Sequence, residues 1–342
     1  MAYTRRTIIQ VISIGAIWIL LYIAAEHIYS VNSSYNKSPG FILTVILVLA
    51  GAAFWFWILR WHDRIEPEPL KYILGISVAG GIISVILTII FSIPFAFLFA
   101  PFKFSISPEY PVHTWIYMLK VGLVEETAKF LAAFLLIRKS KELNEPIDAL
   151  IYSMTVAMGF AVIENIQYAY NYGLGLILTR SLLCLPGHMA YAAIWGYSIA
   201  EVRFLQTHRT FFKLNTIHMR NVVVYLLLAA TIHGTNNFFL SLHSTLLEIL
   251  SIAIDLGLIL FIHRRLIYMS SQSVFLKTGE CHLCRSKNPV EAKTCWKCGA
   301  PLKKIMYKSC NKCQIRIPRN AIFCPRCGEK VVTGDLTAKE LN

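Results

Sequence analysis

Ionisable side chains interrupt several long apolar stretches of this sequence. Together with nearby residues they form four groups: Glu125, Glu126 and Lys129; Phe160, Glu164 and Asn165; Pro186, Gly187 and His188; and His233 with Asn237. Carboxylates and imidazoles can activate water, relay protons or hold a metal ion. A charged group at bilayer depth costs about 2.5–3.5 kcal/mol on insertion scales, so such groups normally mark a function. We therefore interpret the four groups as parts of one site.

The spacing within the groups places their members on shared helix faces. Three pairs lie four residues apart, which is about one helical turn: Glu125 and Lys129, Phe160 and Glu164, and His233 and Asn237. If successive spans alternate in direction, four residues reach the middle or outer half of the bilayer: Glu125, Glu164, His188 and His233. We expect these side chains to meet in one water-accessible cavity. Asp255, in the last apolar stretch, either pairs with a neighbour or joins this site.

Membrane helices are the elements that must position these residues. Of the 342 residues, 56% are hydrophobic and 15% are charged. The mean hydropathy is +0.55, whereas soluble domains carry about 45–50% apolar and about 25% charged residues. This composition excludes an ordinary soluble globule and a disordered chain. A bilayer needs about 20 helical residues per span, and eight runs qualify, at roughly 8–25, 41–59, 72–102, 112–137, 147–171, 174–202, 221–242 and 246–262.

Basic residues in the connections predict the orientation. Arg5 and Arg6 precede the first run, which we interpret as an uncleaved anchor, and basic clusters occupy alternate connections after it. The other connections carry at most one basic residue each. Eight spans therefore place every cluster, and both termini, in the cytoplasm. The sequence predicts an all-α polytopic bundle of about eight spans in the cell membrane, comprising residues 1–270.

Cysteines concentrate in the C-terminal part, where eight of the nine lie. They form four C-x₂-C pairs with a repeat of 29 residues: Cys281 and Cys284, Cys295 and Cys298, Cys310 and Cys313, Cys324 and Cys327. Four thiolates per repeat suit a tetrahedral structural Zn²⁺ site. Disulfides are the alternative, but we expect the tail in the cytoplasm, where thiols stay reduced. The pattern resembles a double zinc ribbon with two structural zinc sites.

The tail is predicted to be a small β-ribbon unit over 271–332, followed by a flexible end over 333–342. It holds 14 Lys and Arg against 5 Asp and Glu, and two Cys₄ zinc sites would lower its net charge of +9 to about +5. Aromatic residues do not interleave with the basic ones, as they do in single-strand-binding surfaces. We therefore favour the docking of a cytosolic protein over nucleic acid, which is disfavoured, and over a purely structural appendage.

Taken in order, the four groups resemble the PrsW family of intramembrane proteases. The resemblance rests on E-E-x-x-K from Glu125, F-x-x-x-E-N ending at Asn165, P-G-H ending at His188 and H-x-x-x-N from His233, over roughly residues 110–240. One position departs from the family pattern, which usually has Asp where this chain has Asn237. The related CAAX-protease and bacteriocin-processing family has Asn there, which shifts the expected role from acid or ligand toward hydrogen-bond donor.

The resemblance implies an endopeptidase that cleaves membrane-protein substrates with a single span. Following the related family's glutamate chemistry, Glu125 is the candidate general base and Glu126 is its alternative. Glu164 is the second acid, which polarises the water or returns its proton to the leaving amine. Lys129 offsets the repulsion between carboxylates, and His233 and Asn237 donate to the developing oxyanion.

Other chemistries stay open beside this metal-free version, which the resemblance favours. A metal-dependent version would hold Zn²⁺ with Glu125, Glu164, His188 and His233, although the sequence has no H-E-x-x-H element. A proton-coupled transporter is an alternative function, since intramembrane acids also suit a proton relay. A non-catalytic membrane scaffold that recruits partners through the ribbons is another.

Overall fold

The computed structural model describes two parts of the chain, which form separate compact units, Met1–Ser273 and Val274–Asn342. In the first unit it describes residues 37–63, 66–99, 109–172, 176–205 and 216–271, with scattered residues between 13 and 24 and residue 106. In the second it describes residues 278–281, 283–289, 294–302, 307–312 and 316–318, with residues 292 and 329. The first predicted span, at roughly 8–25, lies largely outside the described residues.

The first unit is a helical bundle. Its helices are α1 (Lys37–His62), α2 (Leu70–Phe99), α3 (Pro111–Ile137), α4 (Pro146–Tyr172), the single turn α5 (Ile177–Thr179), α6 (Leu185–Ala200), α7 (Thr216–Ser241) and α8 (Thr245–Ser271). Two widened π-helical turns, Arg180–Cys184 and Glu201–Leu205, flank α6. Proline begins α3 and α4 and occupies the first turn of α6, where its missing N–H would have no helical partner.

Five stretches in the described part of the chain are long and apolar enough to cross a bilayer. They are Phe41–His62, Leu70–Leu98, Pro146–Tyr172, Arg220–Ser241 and Thr245–Ser270. These stretches support a multi-pass membrane bundle, but they do not confirm the predicted count of about eight. Helix α3 is also 27 residues long, yet four charged residues lie close together near its middle, at Lys120, Glu125, Glu126 and Lys129. The predicted sixth span is divided among α5, a π-helical turn and α6.

Helix α4 lies at the centre of the bundle. It packs against α2 and α6 most extensively, and it also contacts α1, α3 and α8. In its most apolar stretch 89% of the residues are buried, against 17% in α8. The face of α8 that is exposed in the bundle is apolar, as expected for a helix that faces lipid. The motif residues on α4 therefore sit in the interior.

The second unit contains two short hairpins. Strand β1 (Thr278–Glu280) pairs antiparallel with β2 (Lys287–Pro289), and β3 (Tyr307–Ser309) pairs antiparallel with β4 (Arg316–Pro318). Two-stranded hairpins are at best marginally stable in water. Three-residue strands therefore need another source of stability, which the cysteines beside them can supply.

Glycines bring the backbones of α2 and α4 together. A Cβ added to Gly159 on α4 would overlap the carbonyl oxygen of Ser77 on α2. A Cβ added to Gly81 on α2 would lie 2.5 Å from the carbonyl carbon of Gly159. In contrast, a Cβ added to Gly75 on α2 would meet no atom within 4 Å. Two glycines therefore set the distance between α2 and the helix that carries Glu164.

Buried carboxylates fill the connection between α1 and α2. The Asp63 carboxylate accepts hydrogen bonds from the Glu68 backbone N–H at 2.9 Å and from Arg60 Nη1 at 3.1 Å. Both acids are almost fully buried, and burial raises the pKa of Asp63 to about 6 and that of Glu68 to about 9. Folding therefore favours the protonated form of both groups.

We expect Gly159→Val to destabilise the bundle, because the α2 and α4 backbones would have to separate. Overpacking typically costs about 1–3 kcal/mol, so the thermal unfolding midpoint of the purified protein in detergent should fall. The matched control is Gly75→Ala, which should leave that midpoint unchanged or slightly higher. An unchanged midpoint for Gly159→Val would show that the two backbones are not in contact.

The stability of the protein should fall as pH rises, and Glu68→Gln should reduce that fall. The pKa of Glu68 is higher in the folded state than its ordinary value of 4.5, so the unfolded state ionises first and stability decreases between about pH 4.5 and 9. The variant should therefore unfold at a higher temperature than the wild type at pH 8, with a smaller difference at pH 5. Glu66→Gln, at a partly exposed acid of the same connection, is the control. Equal shifts at the two pH values would contradict the prediction.

Candidate active site

Helices α3 and α7 approach closely enough for their polar side chains to touch. Gly122 on α3 and Gly234 on α7 face the opposite backbones, and a Cβ at Gly234 would lie 2.6 Å from the Met118 carbonyl oxygen. Glu125, Glu126 and Lys129 follow Gly122 within two turns of α3, while His233 precedes Gly234. The close approach therefore brings E-E-x-x-K into contact with the imidazole of α7.

Glu126 is the most completely hydrogen-bonded carboxylate of the site. It accepts hydrogen bonds from Lys129 Nζ at 2.8 Å, from Trp195 Nε1 at 3.0 Å and from His233 Nδ1 at 2.9 Å. Its side chain is fully buried. A carboxylate accepts only, so the proton of His233 lies on Nδ1 and Nε2 keeps a free lone pair. Glu126 thus orients His233 and is poorly placed to act as a base.

Glu125 is held more loosely than its neighbour. Its Oε2 lies 3.4 Å from Lys129 Nζ and 3.8 Å from His233 Nε2. It is 8% exposed, whereas Glu126 is 0% exposed. Adjacent helical residues point about 100° apart, and here that difference directs only Glu125 toward the free nitrogen of His233. Of the two acids, Glu125 is therefore the one available to a ligand or a reactant.

His188 on α6 joins α3 to α4. Its Nδ1 lies 2.9 Å from Lys129 Nζ and its Nε2 lies 3.0 Å from Glu164 Oε2. An ammonium group can only donate, so Nδ1 accepts and the proton of a neutral His188 lies on Nε2, directed at Glu164. The Phe160 ring covers the Lys129 ammonium at 4.3 Å and packs against His188. Phe160, which the helical spacing placed beside Glu164, therefore shields the buried cation.

Arg180 is part of the site, although none of the four sequence groups contains it. Its Nη2 donates to Glu164 Oε2 at 2.8 Å, and its Nε donates to the Asn165 side-chain oxygen at 2.8 Å. The guanidinium also stacks 3.7 Å from the centre of the Tyr168 ring. Arg180 lies in the first π-helical turn, which a regular helical pattern does not predict. Glu164 therefore has two partners, Arg180 and His188.

The structure brings together six of the seven predicted site residues: Glu125, Glu126, Lys129, Glu164, His188 and His233. Asn237 is half-buried and makes no hydrogen bond with the described residues. Its neighbour Asn236 is buried instead and contacts Tyr191 and Asp255. Sequence reasoning missed Arg180, Tyr191, Trp195 and Asn236. Only their position beside or between the motif residues in the apolar stretches could have indicated them.

Three of these residues fit a metal ion. Glu125, His188 and His233 each offer one ligand atom, and these atoms lie within 4.8 Å of one another. Ligand atoms around one tetrahedral zinc lie about 3.4 Å apart, so the three side chains would move closer together around a bound ion, and catalytic zinc sites often use three protein ligands of these types. Three carboxylates of the site also face only two described cations, Lys129 and Arg180. The deficit of positive charge and the free Nε2 of His233 therefore both favour a cation.

The fit requires one adjustment at His188. Binding through Nε2 needs its proton on Nδ1, which lies 2.9 Å from the Lys129 ammonium. Both groups would then be donors, so they would have to move apart and Lys129 would donate to Glu125 and Glu126 alone. Glu164 lies outside the group of three, because its Oε2 faces His188 Nε2 and Arg180 instead. Of the four metal ligands that the sequence suggested, three therefore lie together, and Glu164 lies beside them.

The tail holds a second metal-binding geometry. The Sγ atoms of Cys281 and Cys298 lie 3.7 Å apart, and those of Cys284 and Cys295 lie 3.5 Å apart. Sulfurs around one tetrahedral zinc are about 3.8 Å apart, given zinc–sulfur bonds of about 2.3 Å. Gly299, with a φ of 73°, closes the second knuckle. In the second repeat Cys310 is buried, and Cys313, Cys324 and Cys327 lie outside the described residues.

Comparison with known proteins identifies both parts of the chain. The family model described as PrsW family intramembrane metalloprotease matches residues 68–263, and the model described as double zinc ribbon matches residues 281–328. No solved structure matches the chain. Both family resemblances are confirmed, and the first family's description favours the metal-dependent version over the metal-free one.

Curated relatives agree with the first of these family models. The chain is 32% identical over 168 residues to Protease PrsW of Clostridioides difficile, covering 48% of this chain and 66% of that relative, just under two thirds. It is 25% identical over 197 residues to Protease PrsW of Shouchella clausii, covering 58% of this chain and 83% of the relative. The family model spans more than half of the chain and includes every residue of the site. The chain therefore belongs to the PrsW family of intramembrane metalloproteases, which are peptide hydrolases.

Proposed function

We propose that this chain hydrolyses peptide bonds of membrane-protein substrates within the bilayer, using a metal ion held by Glu125, His188 and His233. The convergence of these three residues from α3, α6 and α7 carries the proposal. Ionisable side chains are costly in the interior of a membrane bundle and normally mark a function. Three carboxylates, two imidazoles and two cations gathered there indicate a catalysed reaction or a bound ion. Bound there, Zn²⁺ would supply an electrophile and make water more acidic.

Glu164 takes the role of general base in this proposal. With Glu125 serving as a ligand, Glu164 is the remaining carboxylate beside the group of three, at 3.0 Å from His188 Nε2. It accepts a proton from the attacking water and passes it to the leaving amine nitrogen. This role differs from the one that the sequence assigned to Glu125. Arg180 holds the Glu164 carboxylate in place through its hydrogen bond of 2.8 Å.

The other residues hold the reacting groups in place. Glu126 fixes His233 through Nδ1, and such outer partners typically contribute about 10–100-fold in metal affinity or activity. Lys129 lies between the two adjacent carboxylates of α3 and offsets their mutual repulsion. Asn237, one turn after His233 and half-buried, can donate to the carbonyl oxygen of a bound substrate. It therefore keeps the role of oxyanion donor.

The proposal includes the partners and the orientation that the sequence predicts. The substrates are membrane proteins with a single span, and the bundle has about eight spans with both termini in the cytoplasm. The tail binds two structural zinc ions and docks a cytosolic protein. The sulfur geometry of the first ribbon supports the first of these zinc sites.

Conservative substitutions should separate a metal ligand from a base. Glu125→Gln should lose both the intramembrane metal and cleavage, because an amide is a poor ligand. Glu164→Gln should keep the metal but lower kcat by about 10²–10⁴-fold, the usual contribution of a positioned base. The measurements are cleavage of a membrane-tethered reporter in liposomes and metal content per chain. Glu109→Gln, at an exposed acid just before α3, is the matched control.

Three outcomes would contradict the assignments. Full activity of Glu164→Gln would remove Glu164 as the base. Retained metal and activity in Glu125→Gln would remove Glu125 as a ligand. Cleavage by the metal-stripped protein would end the metal-dependent mechanism and return the reaction to glutamate chemistry.

Breaking the first ribbon should leave the chemistry intact. Cys295→Ser removes one of four thiolates, so the ribbon should lose its zinc and unfold, since metal binding supplies its folding energy. We expect one zinc fewer per chain and rapid proteolysis of the tail, while a minimal peptide is cleaved at the wild-type rate. Lys297→Ser, at an exposed lysine between the two cysteines of the same knuckle, is the control and should keep the zinc. Lost cleavage of the minimal peptide would contradict the separation of docking from catalysis.

A further inference from the structure

We infer that Tyr191, held by Asp255 and Asn236, is a positioning residue that fixes the plane of the His233 imidazole for metal binding. The inference rests on the proposed metal site and adds to it a residue on α6 and one on α8. None of the four sequence groups contains Tyr191 or Asp255.

The rings of Tyr191 and His233 lie face to face. Their centroids are 4.8 Å apart and their planes differ by 16°. The hydrogen bond from His233 Nδ1 to Glu126 lies at the ring edge, at 2.9 Å. A hydrogen bond at one nitrogen fixes the tautomer but still lets the ring tilt about that bond. The stacked ring of Tyr191 opposes that tilt. The edge and the face of the His233 ring are then both constrained, so Nε2 points in one direction.

Tyr191 is itself fixed by its hydroxyl group. The hydroxyl donates to Asp255 Oδ1 at 2.9 Å and accepts from Asn236 Nδ2 at 2.9 Å. Asn236 Nδ2 also lies 3.1 and 3.2 Å from the two Asp255 oxygens. Tyr191, Asn236 and Asp255 are 3%, 4% and 3% exposed. The three side chains therefore form a buried hydrogen-bonded network that holds the ring against His233.

The position of Asp255 agrees with this role. It is a buried acid on α8, whose exposed surface is mostly apolar, and a carboxylate at that depth is costly. Both of its described hydrogen-bond donors, Tyr191 and Asn236, belong to this network. Asp255 Oδ1 also lies 3.3 Å from the position of a Cβ added to Gly187, the residue before His188. Asp255 thus contacts the turn that presents one proposed ligand and, through Tyr191, supports the other.

A simpler role for the network is to staple α6, α7 and α8 together. The two roles differ in what they change. A staple alters the thermal stability of the bundle and leaves the affinity of an already folded site unchanged. A positioning network alters metal affinity in protein that is still folded. The loss of affinity should be largest when the tyrosine ring is removed and smaller when only its hydroxyl group is removed.

The test is a zinc competition titration of the full-length protein in detergent, with a chelator as competitor. The intramembrane zinc is defined as the zinc that His188→Ala loses, which separates it from the zinc of the ribbons. Tyr191→Leu removes the aromatic ring and should weaken the affinity of the intramembrane site for zinc about 10–100-fold. Tyr191→Phe keeps the ring and should lose less than Tyr191→Leu. Tyr225→Leu, at a partly buried tyrosine of α7 away from the site, controls for lost packing.

A double variant tests whether Asp255 acts through the tyrosine. Tyr191→Phe combined with Asp255→Leu should bind zinc no more weakly than the weaker of the two single variants, because both remove the same contact. Thermal unfolding midpoints show which variants are folded at the titration temperature.

Each outcome gives a decision. Wild-type zinc affinity in folded Tyr191→Leu, with only a lowered unfolding midpoint, would reduce the network to a staple and leave the proposed function standing. Additive losses in the double variant would overturn the link from Asp255 to Tyr191. Absence of the intramembrane zinc from the wild type would overturn both this inference and the metal-dependent function.

Discussion

The contact between Glu126 and its three donors is the interaction on which the site depends. A fully buried carboxylate in a membrane bundle is tolerable only when its charge is paired and its lone pairs are filled. Lys129, Trp195 and His233 fill them from three helices. Removing one partner of such a buried pair typically costs about 3–5 kcal/mol. This requirement fixes the rotation of α3, α6 and α7 toward one another.

The rest of the site is built outward from that contact. Glycines on α3 and α7 allow the distance that the hydrogen bond to His233 needs, and the oriented His233 directs its free nitrogen toward Glu125. Lys129 extends the same network to His188, and His188 extends it to Glu164 on α4. Each buried polar side chain thus depends on the previous one for a hydrogen-bond or ion-pair partner. Side chains linked by hydrogen bonds in this way are rigid, which suits a site that must hold a metal ion and a water molecule at fixed positions.

Spacing within a helix was readable from the sequence, whereas spacing between helices was not. E-E-x-x-K and F-x-x-x-E indicate residues that share a face in the structure, because that relation depends only on the helical period. Lys129 contacts Glu125, and Phe160 and Glu164 both contact His188. Whether Glu125 or Glu126 faces the other helices depends on the rotation of α3, which is set by packing with Gly234 and Trp195. The same applies to Asn236, which is buried where the pattern favoured Asn237. Arg180 could not be anticipated, because a regular period does not describe its turn.

The π-helical turn before α6 has a consequence for the evolution of this site. Arg180 and His188 are eight residues apart, and a regular helix would separate their directions by about 80°. A widened turn accommodates one extra residue, which is worth about 100°, and both side chains then reach Glu164. Trp55 on α1 donates to the Ser181 carbonyl within this turn at 2.8 Å. The turn thus behaves like a one-residue insertion retained in the chain, and a homologue that lacked it would have to recruit its guanidinium from a different position.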